Sequence, residues 1–236
     1  MTRFRTIAAG ISVVILLATG AARAEQHVYQ YDVQHPTYGN IGTYINTVTQ
    51  DGDKTDVQTQ LHIAVKVLGI SMFHQDASRV EHWQKDRLVG FEGATDDNGT
   101  KLDVTGHAQA DNFVISGPLG TITAPARVHP SNPWTPTILQ TDTMMGTKTG
   151  KITAVKVTNT GMQNIAFGGQ MKKVHQFFVD DDKHMVVWVS DDNNTVVGFQ
   201  TVEGGSAITF VLKQLNQAAS AKQAVTASQQ IERAGQ

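Results

Sequence analysis

The sequence predicts a mainly β fold: a curved antiparallel sheet that forms a half-barrel or barrel-like meander, with one short central helix. Short runs rich in Val, Ile, Thr and Phe recur along the chain, and turn-forming pairs separate them. Asp51-Gly52 and Asn98-Gly99 are such pairs, because these residue types tolerate the positive φ angles of tight hairpin turns. A count of roughly eleven to thirteen strands indicates a sheet that curls or splits into two.

The first 24 residues have the features of a cleavable signal peptide. Arg3 and Arg5 precede an uncharged, largely apolar stretch, and Ala22-Arg23-Ala24 places small residues where signal peptidase requires them. The strongly apolar run is shorter than the roughly 20 residues that cross a bilayer, so we expect no transmembrane anchor in the mature chain. The chain has no cysteine, so no lipid-modified cysteine can follow the cleavage site. We therefore expect a free protein of the periplasm or the medium.

The remaining charge and the histidine pattern restrict the partners that we expect. Without the three arginines of the leader, 16 Lys and Arg stand against 21 Asp and Glu, a net charge of −5. No basic run is present that would neutralise a phosphate backbone, so nucleic acid is not an expected partner. Nine histidines are present, but none forms a His-x-His or His-x₃-His ligand pattern. The sequence predicts no metal site and no cofactor.

Residues 25–215 are expected to form the β domain. Its clearest strand is Val57–Val67, where apolar and polar residues alternate with a period of two. This alternation predicts a strand with one buried face and one wet face. The tail, residues 216–236, is rich in Ala, Gln and Ser and offers little to bury, so we expect it to be flexible or helical and poorly packed.

A Pro-rich segment in the middle of the chain breaks the strand pattern. Asn132 is suited to cap a helix whose first residue is Pro133, where the missing N–H costs little. Trp134, Ile138 and Leu139 would then share one face of that helix. We expect a short helix between two groups of strands.

Residues 73–92 and 178–200 resemble each other. In each stretch Phe precedes Trp by ten residues, and a polar turn leads into Val-Gly-Phe. A true repeat would place Trp83 and Trp188 at equivalent points of a curved sheet; the alternative is chance similarity between β sequences. Valines flank Trp188 on both sides, which predicts a central strand and a buried indole.

These motifs resemble a family of exported proteins. The stretch that runs from Trp83 through Leu-Val-Gly-Phe-Glu-Gly-Ala-Thr-Asp-Asp-Asn-Gly, the central Pro-Ser-Asn-Pro-Trp134, and the late Val-Val-Trp188 with Val-Val-Gly-Phe look like domain-of-unknown-function family 6134, or the neighbouring family 3108. The resemblance covers most of residues 27–212. It implies a curved antiparallel sheet similar to the half-barrels of periplasmic lipoprotein carriers, and it implies no established activity and no catalytic residues.

A curved sheet too small to fill itself leaves an apolar hollow, as in barrels that hold one small ligand. Aromatic and apolar residues that could line this hollow recur in the motifs above, although each of them would also suit an ordinary core. The candidate ligand-binding residues are Trp83, Phe91, Trp134, Leu139, Trp188 and Phe199. The sequence thus favours an exported, soluble protein of the periplasm that binds an apolar small molecule or a lipid-like ligand, and it favours this over an enzyme without excluding one.

Two alternatives stay open. The first is an envelope assembly protein that binds a protein partner by adding a strand at a sheet edge. The second is an enzyme that acts on an envelope polymer, for which Glu81 and Glu92 are an example of a carboxylate pair. The chain contains no Gly-x-Ser-x-Gly elbow and no thiol nucleophile, so no catalytic residue is assigned.

Overall fold

The computed structural model describes residues 24–167, 170–181 and 183–218, which form sixteen strands and one short 3-10 helix, η1. The strands are β1 Glu25–His35, β2 Gly39–Asp51, β3 Lys54–Val67, β4 Ile70–Gln84, β5 Arg87–Asp97, β6 Thr100–Gln109, β7 Asn112–Gly117, β8 Gly120–Pro125, β9 His129–Pro130, β10 Thr143–Met145, β11 Ile152–Ala154, β12 Lys156–Phe167, β13 Gln170–Asp180, β14 Met185–Ser190, β15 Val196–Glu203 and β16 Ser206–Ala218. All but the last residue of the predicted signal peptide, and the predicted tail beyond Ala218, lie outside the described residues.

Thirteen strands form one antiparallel sheet in the order β12-β13-β14-β15-β16-β1-β2-β3-β4-β5-β6-β7-β8. Neighbours in the sheet are neighbours along the chain, except where β1 pairs with β16 near the middle. The sheet is strongly curved, because Ala77 on β4 and Val179 on β13 share one core cluster although they are far apart in the strand order. In the described part of the chain no ladder joins the edge strands β8 and β12, so the barrel is not closed. The mainly antiparallel β fold is confirmed.

The predicted alternation and turns account for the hairpins. On β3, Val57, Leu61, Ile63 and Val65 are buried and the residues between them are mostly exposed. The turn residues Asn98 and Gly99 have φ values of 51° and 88°, the left-handed conformation that a two-residue hairpin loop requires.

The segment between β8 and β12, residues 126–155, crosses the inner face of the sheet, and we call it the strap. Its strands form a separate three-stranded sheet in the order β11-β10-β9, so its ladders join strap residues to one another and not to the main sheet. Val128, Ile138, Met144 and Met145 of the strap are buried in the same clusters as the inward side chains of the sheet. The strap therefore fills the hollow of the curved sheet.

The predicted central helix is wrong. The strap contains only the 3-10 helix η1, Pro136–Gln140, which follows Thr135 and has no side-chain cap. Asn132 is not a cap because its side chain is hydrogen-bonded to the sheet. Trp134 packs against one core cluster whereas Ile138 lies in the other, so the two do not share a helical face. Among the described residues, no helix is long and apolar enough to cross a bilayer.

The predicted repeat is also wrong, and a one-residue difference in register explains why. Residues 73–83 lie on the single strand β4, whereas residues 178–188 run from β13 through a turn into β14. The glycine of Val-Gly-Phe lies opposite His82 in the first copy but opposite Trp188 in the second. A shift of one residue turns a side chain to the other face of a sheet. Trp188 is accordingly half-buried in a small separate cluster with Val174 and Val197, not in the main core.

Candidate functional site

The strap passes close to the main chain of the sheet at two glycines. A side chain on Gly93 of β5 would come within 3.4 Å of the carbonyl oxygen of Thr147. A side chain on Gly117 of β7 would come within 3.2 Å of the carbonyl oxygen of Thr149. These distances are at or slightly below van der Waals contact, so the absence of a side chain at both glycines lets the strap lie directly on the sheet.

Polar side chains are buried where the strap meets β2, β3 and β4. We call this group the polar cluster; it comprises Tyr44, Asn46, Thr59, Arg79, Glu81 and Asn132. Asn46, Thr59 and Arg79 lie side by side across the three strands, because they are in register. Burial of polar groups is unfavourable unless they find hydrogen-bond partners, so the bonds within this cluster determine whether the strap can pack here.

Asn132 joins the strap to the sheet through both ends of its amide. Its Oδ1 accepts hydrogen bonds from the Tyr44 hydroxyl at 2.5 Å and from Nδ2 of Asn46 at 3.3 Å. Its Nδ2 donates to Oε1 of Glu81 at 2.7 Å and to the Thr59 hydroxyl at 3.1 Å. The amide thus uses its full capacity of two donors and two acceptor sites. An asparagine that caps a helix also accepts a hydrogen bond through its side-chain oxygen, so the residue type alone does not distinguish a cap from this contact.

Glu81 is fully buried and receives three donors. Besides Asn132, the indole N–H groups of Trp83 and Trp134 donate to its Oε2 at 2.9 Å and 3.1 Å. The two indole rings meet edge to face, with their centroids 6.2 Å apart. Two of the three donors belong to the strap and one to β4. Glu81 is therefore the point at which the strap, the sheet and two aromatic rings are connected.

Burial raises the pKa of Glu81 from 4.5 to about 7, because the desolvated carboxylate is unfavourable. The donors Asn132, Trp83 and Trp134, together with the positive charge of Arg79, act in the opposite direction and favour the ionised form. Burial is the largest of these effects. The carboxyl group of Glu81 therefore titrates near neutral pH.

Two other buried groups beside the strap are incompletely paired. Nε of Arg79 and Nδ1 of His129 have no hydrogen-bond partner among the described residues. Burial lowers the pKa of His129 to about 4, and its ring lies against Trp83 with centroids 4.5 Å apart. Burial also lowers the pKa of Arg79. Nowhere in the described ranges do three or more His, Asp or Glu side chains gather as a metal site would require.

The structure brings together five of the six candidate ligand-binding residues on the inner face. Trp83, Phe91 and Trp134 belong to one core cluster, and Phe199 and Leu139 belong to the neighbouring one. Trp188 lies on the other face of β14, where its indole N–H donates to Oε1 of Gln176 at 2.9 Å. Ligand binding by these residues stays a prediction.

Sequence reasoning did not find the polar cluster. The available signal was on β4, where Arg79 and Glu81 occupy inward positions between Ala77 and Trp83. Charged residues at buried positions of a strand are rare unless they are paired. The carboxylate pair suggested by the sequence is not formed, because Glu92 is exposed on β5 and faces away from Glu81.

An open groove of about 440 Å³, lined by apolar and polar residues, lies on the outer face of β2 to β6, opposite the strap. Asp76 and Asp96 are in register at its floor. Asp76 is 2.6 Å from Nδ1 of His62, and Asp96 forms an ion pair with Lys101. All four side chains are in contact with solvent, where such pairs contribute little to stability and water is not excluded.

The fold is similar to that of a solved protein. The crystal structure of a β-barrel-like protein of the domain of unknown function DUF1849 from Brucella abortus matches with a TM-score of 0.60. The match covers 84% of this chain and 100% of that chain, at 9% sequence identity. At this identity the likeness concerns the fold alone. The chain is therefore a β-barrel-like protein, with a curved sheet that stays open in the described residues.

The family model of the domain of unknown function DUF6134 matches residues 31–213. The chain belongs to this family, and the resemblance to family 6134 is confirmed. A comparison with curated proteins found no match.

Proposed function

We propose that this protein is an exported, periplasmic carrier or sensor that binds an apolar, lipid-like ligand against the inner face of the sheet, beneath the strap. The observation that carries the proposal is the cover itself. An apolar inner face with several buried aromatic rings, among them Trp83, Phe91 and Phe199, is closed by a segment whose strands pair only with one another.

The strap is suited to move because few main-chain bonds hold it to the sheet. Its ladders are internal, and its attachment depends on apolar packing and on the side-chain bonds of Asn132, Trp134 and Lys148. A strand of the main sheet could leave only by breaking a complete ladder on each side. Displacing the strap would leave the ladders of the thirteen-stranded sheet intact.

The chemistry of the buried strap residues supports an apolar class of ligand. Ile138, Met144 and Met145 are fully buried, and each such side chain contributes about 1.5–3 kcal/mol when it leaves water. A ligand that takes their place must restore this burial, which a sugar or a small ion does not do. An acyl chain or another elongated apolar group does.

The proposal is tested by tethering the strap. Because the chain has no cysteine, Asp97→Cys with Lys148→Cys provides two thiols, one on β5 and one on the strap, where these two side chains form an ion pair. A short bifunctional maleimide joins the two thiols. Circular dichroism first establishes that the variant is folded. We expect a fluorescent fatty acid to bind the parent and the variant before cross-linking but not the cross-linked variant. Equal binding before and after cross-linking would show that no ligand enters beneath the strap.

Native mass spectrometry of gently purified protein, followed by lipid extraction, identifies what the protein carries. We expect the purified parent protein to retain an apolar ligand. Protein that is delipidated, refolded and then tethered at the strap should not take this ligand up again. Repeated recovery of empty protein that also ignores added fatty acids and phospholipids would overturn the proposal.

Strand addition at a sheet edge has less support as an alternative. The edge strand β12 is interrupted by a register shift between Asn159 and Gly161, and the edge strand β8 has only six residues and ends at Pro125. Bulges, short strands and proline are features that protect an edge from pairing with another chain. Capture of one stoichiometric envelope protein, with no ligand found, would favour this alternative.

Catalysis in the outer groove is the third candidate, and Asp76 and Asp96 are the residues that would carry it. Their separation on neighbouring strands suits a carboxylate pair, but the hydrogen bonds from Lys101 and from the Gly99 N–H lower the pKa of Asp96, which disfavours this residue as a general acid near neutral pH. Release of soluble fragments from envelope polysaccharide, lost in Asp76→Asn, would establish it.

A further inference from the structure

The tip of the β3–β4 hairpin exposes large apolar side chains. Leu68 is 98% exposed, Ile70 is 66% exposed and Met72 is 62% exposed, and Val67 beside them is also exposed. β3 and β4 have 14 and 15 residues and are the longest strands of the sheet. Apolar side chains that stay in contact with water at the end of a long hairpin do not stabilise the isolated protein.

Leu68 is unfavourable for the fold in a second way. Its φ is 48°, in the left-handed region that glycine, asparagine and aspartate adopt most readily. In the β3–β4 turn Leu68 is followed by Gly69, and the equivalent turn between β5 and β6 has Asn98 and Gly99 at the corresponding positions. An asparagine at position 68 would suit the turn better and would not expose an apolar side chain. The leucine is therefore not explained by local conformation or by packing.

The β3–β4 tip projects beyond a neighbouring turn at the same end of the sheet. Hairpins alternate between the ends of a meander, so the β1–β2, β3–β4, β5–β6 and β7–β8 turns lie at one end. Asp97, the last residue of β5, lies opposite Gln75 of β4, so the β5–β6 turn ends short of the tip at Ile70. The β1–β2 and β7–β8 turns carry exposed Tyr38 and Leu119. At this end, the exposed apolar side chains are therefore concentrated on the β3–β4 tip.

The charge around the tip is complementary to phosphate. Residues 57–75 contain no Asp or Glu, in a chain that has 21. Lys66 is exposed directly beside the tip. A surface with an apolar interior and an anionic boundary would receive both the leucine and the lysine, and a phospholipid bilayer has this combination.

The shape of the tip also favours a lipid phase over a folded partner. Val67 and Ile70 are paired across the turn, whereas Met72 lies where the register shifts, so the exposed side chains do not form one flat face. Fluid acyl chains adapt to a projecting, irregular tip, and a protein would need a groove of matching shape. We propose that the β3–β4 tip inserts into the surface of a phospholipid bilayer, with Leu68 deepest and with Lys66 at the phosphates.

The test uses the full mature chain and vesicles of phosphatidylcholine, alone and mixed with phosphatidylglycerol. Leu68→Asn removes the apolar group while improving the turn, so loss of folding does not explain loss of binding. Met72→Gln and Met171→Gln are a matched pair, because Met171 is 67% exposed near the β12–β13 turn at the opposite end of the sheet. Each variant is measured by vesicle flotation and by thermal unfolding.

We expect the parent and Met171→Gln to bind vesicles equally, and Leu68→Asn and Met72→Gln to bind at least tenfold more weakly. Leu68→Cys carries an environment-sensitive fluorophore as the single thiol label, and its emission should shift to the blue on binding. Absence of parent binding to both vesicle types would overturn the inference, as would equal effects of Met72→Gln and Met171→Gln. Titration with a soluble fatty acid, without vesicles, tests the proposed ligand site separately, so the two failures are distinguishable.

Discussion

Glu81 connects the strap to the sheet, and its titration should make the stability of the protein depend on pH. Burial raises the pKa of Glu81 from 4.5 in the unfolded chain to about 7 in the folded protein. As the pH rises through this interval, the unfolded chain releases its proton first, so the free energy of unfolding falls. One pKa unit corresponds to about 1.4 kcal/mol, so Glu81 should lower stability by about 3 kcal/mol between about pH 4.5 and 8.

His129 acts in the opposite direction over much of the same range. Burial lowers the pKa of His129 from 6.5 to about 4, so the unfolded chain takes up a proton that the folded protein does not bind. The free energy of unfolding should therefore fall as the pH decreases from 6.5 to about 4. The two slopes oppose each other between pH 4.5 and 6.5, so in this interval the parent protein alone would not separate them.

Glu81→Gln separates the two groups, because His129 is common to parent and variant. Urea unfolding, followed by far-ultraviolet circular dichroism, is measured for both proteins at a series of pH values. We expect the variant to gain about 3 kcal/mol on the parent between about pH 4.5 and 8. Glu92→Gln, which removes an exposed glutamate from the next strand, controls for the change in net charge. A parent-to-variant difference that is the same at every pH would refute the reasoning, whatever its absolute size.

Four further substitutions are predicted from packing and hydrogen bonding. Asn132→Ala removes four hydrogen bonds and leaves Glu81 without one donor, so urea unfolding should show a loss of about 2–4 kcal/mol; a loss below about 1 kcal/mol would contradict the anchoring role of Asn132. Trp83→Ala should cost about 3–5 kcal/mol, and Trp188→Ala roughly half as much because its indole is half-buried. Thermal and urea unfolding compare the two variants, and an equal loss of stability in both would contradict the placement of the two indoles on opposite faces of the sheet. Gly106→Ala places a methyl group 2.3 Å from the Phe113 ring and should cost about 1–3 kcal/mol, restored in part by Phe113→Leu; an unchanged melting temperature would count against this packing.

The sheet could be predicted because its signals are local. Alternation along β3 and glycine-containing turns such as Asn98-Gly99 depend on residues within one hairpin. Family membership followed from the motifs around Trp83, Trp134 and Trp188, which the match over residues 31–213 supports.

The site could not be predicted because its signals are distant in sequence. Asn132 has a helix-cap identity, and only Tyr44 and Glu81, 88 and 51 residues away, make another use of its amide more favourable. The register difference at Trp188 depends on which residue lies opposite a glycine of the next strand, and sequence spacing does not contain this information. Inward Glu81 violates the pattern of its strand and exposed Leu68 violates the residue preference of its turn, and such violations are where function is expected.

The pairing of β1 with β16 determines how the protein can be assembled and cut. The sheet consists of two wings, β1 to β8 and β12 to β16, whose main-chain seam joins strands more than 170 residues apart, such as Gln26 opposite Ala218. Each wing can fold from neighbouring hairpins, but the seam has to wait for both, and non-local pairings of this kind slow folding. Because the start of β1 and the end of β16 lie side by side, a short linker between them permits a circular permutant whose new termini fall within the strap. Such a permutant keeps every ladder of the thirteen-stranded sheet, whereas its strap consists of two segments that each have a free terminus.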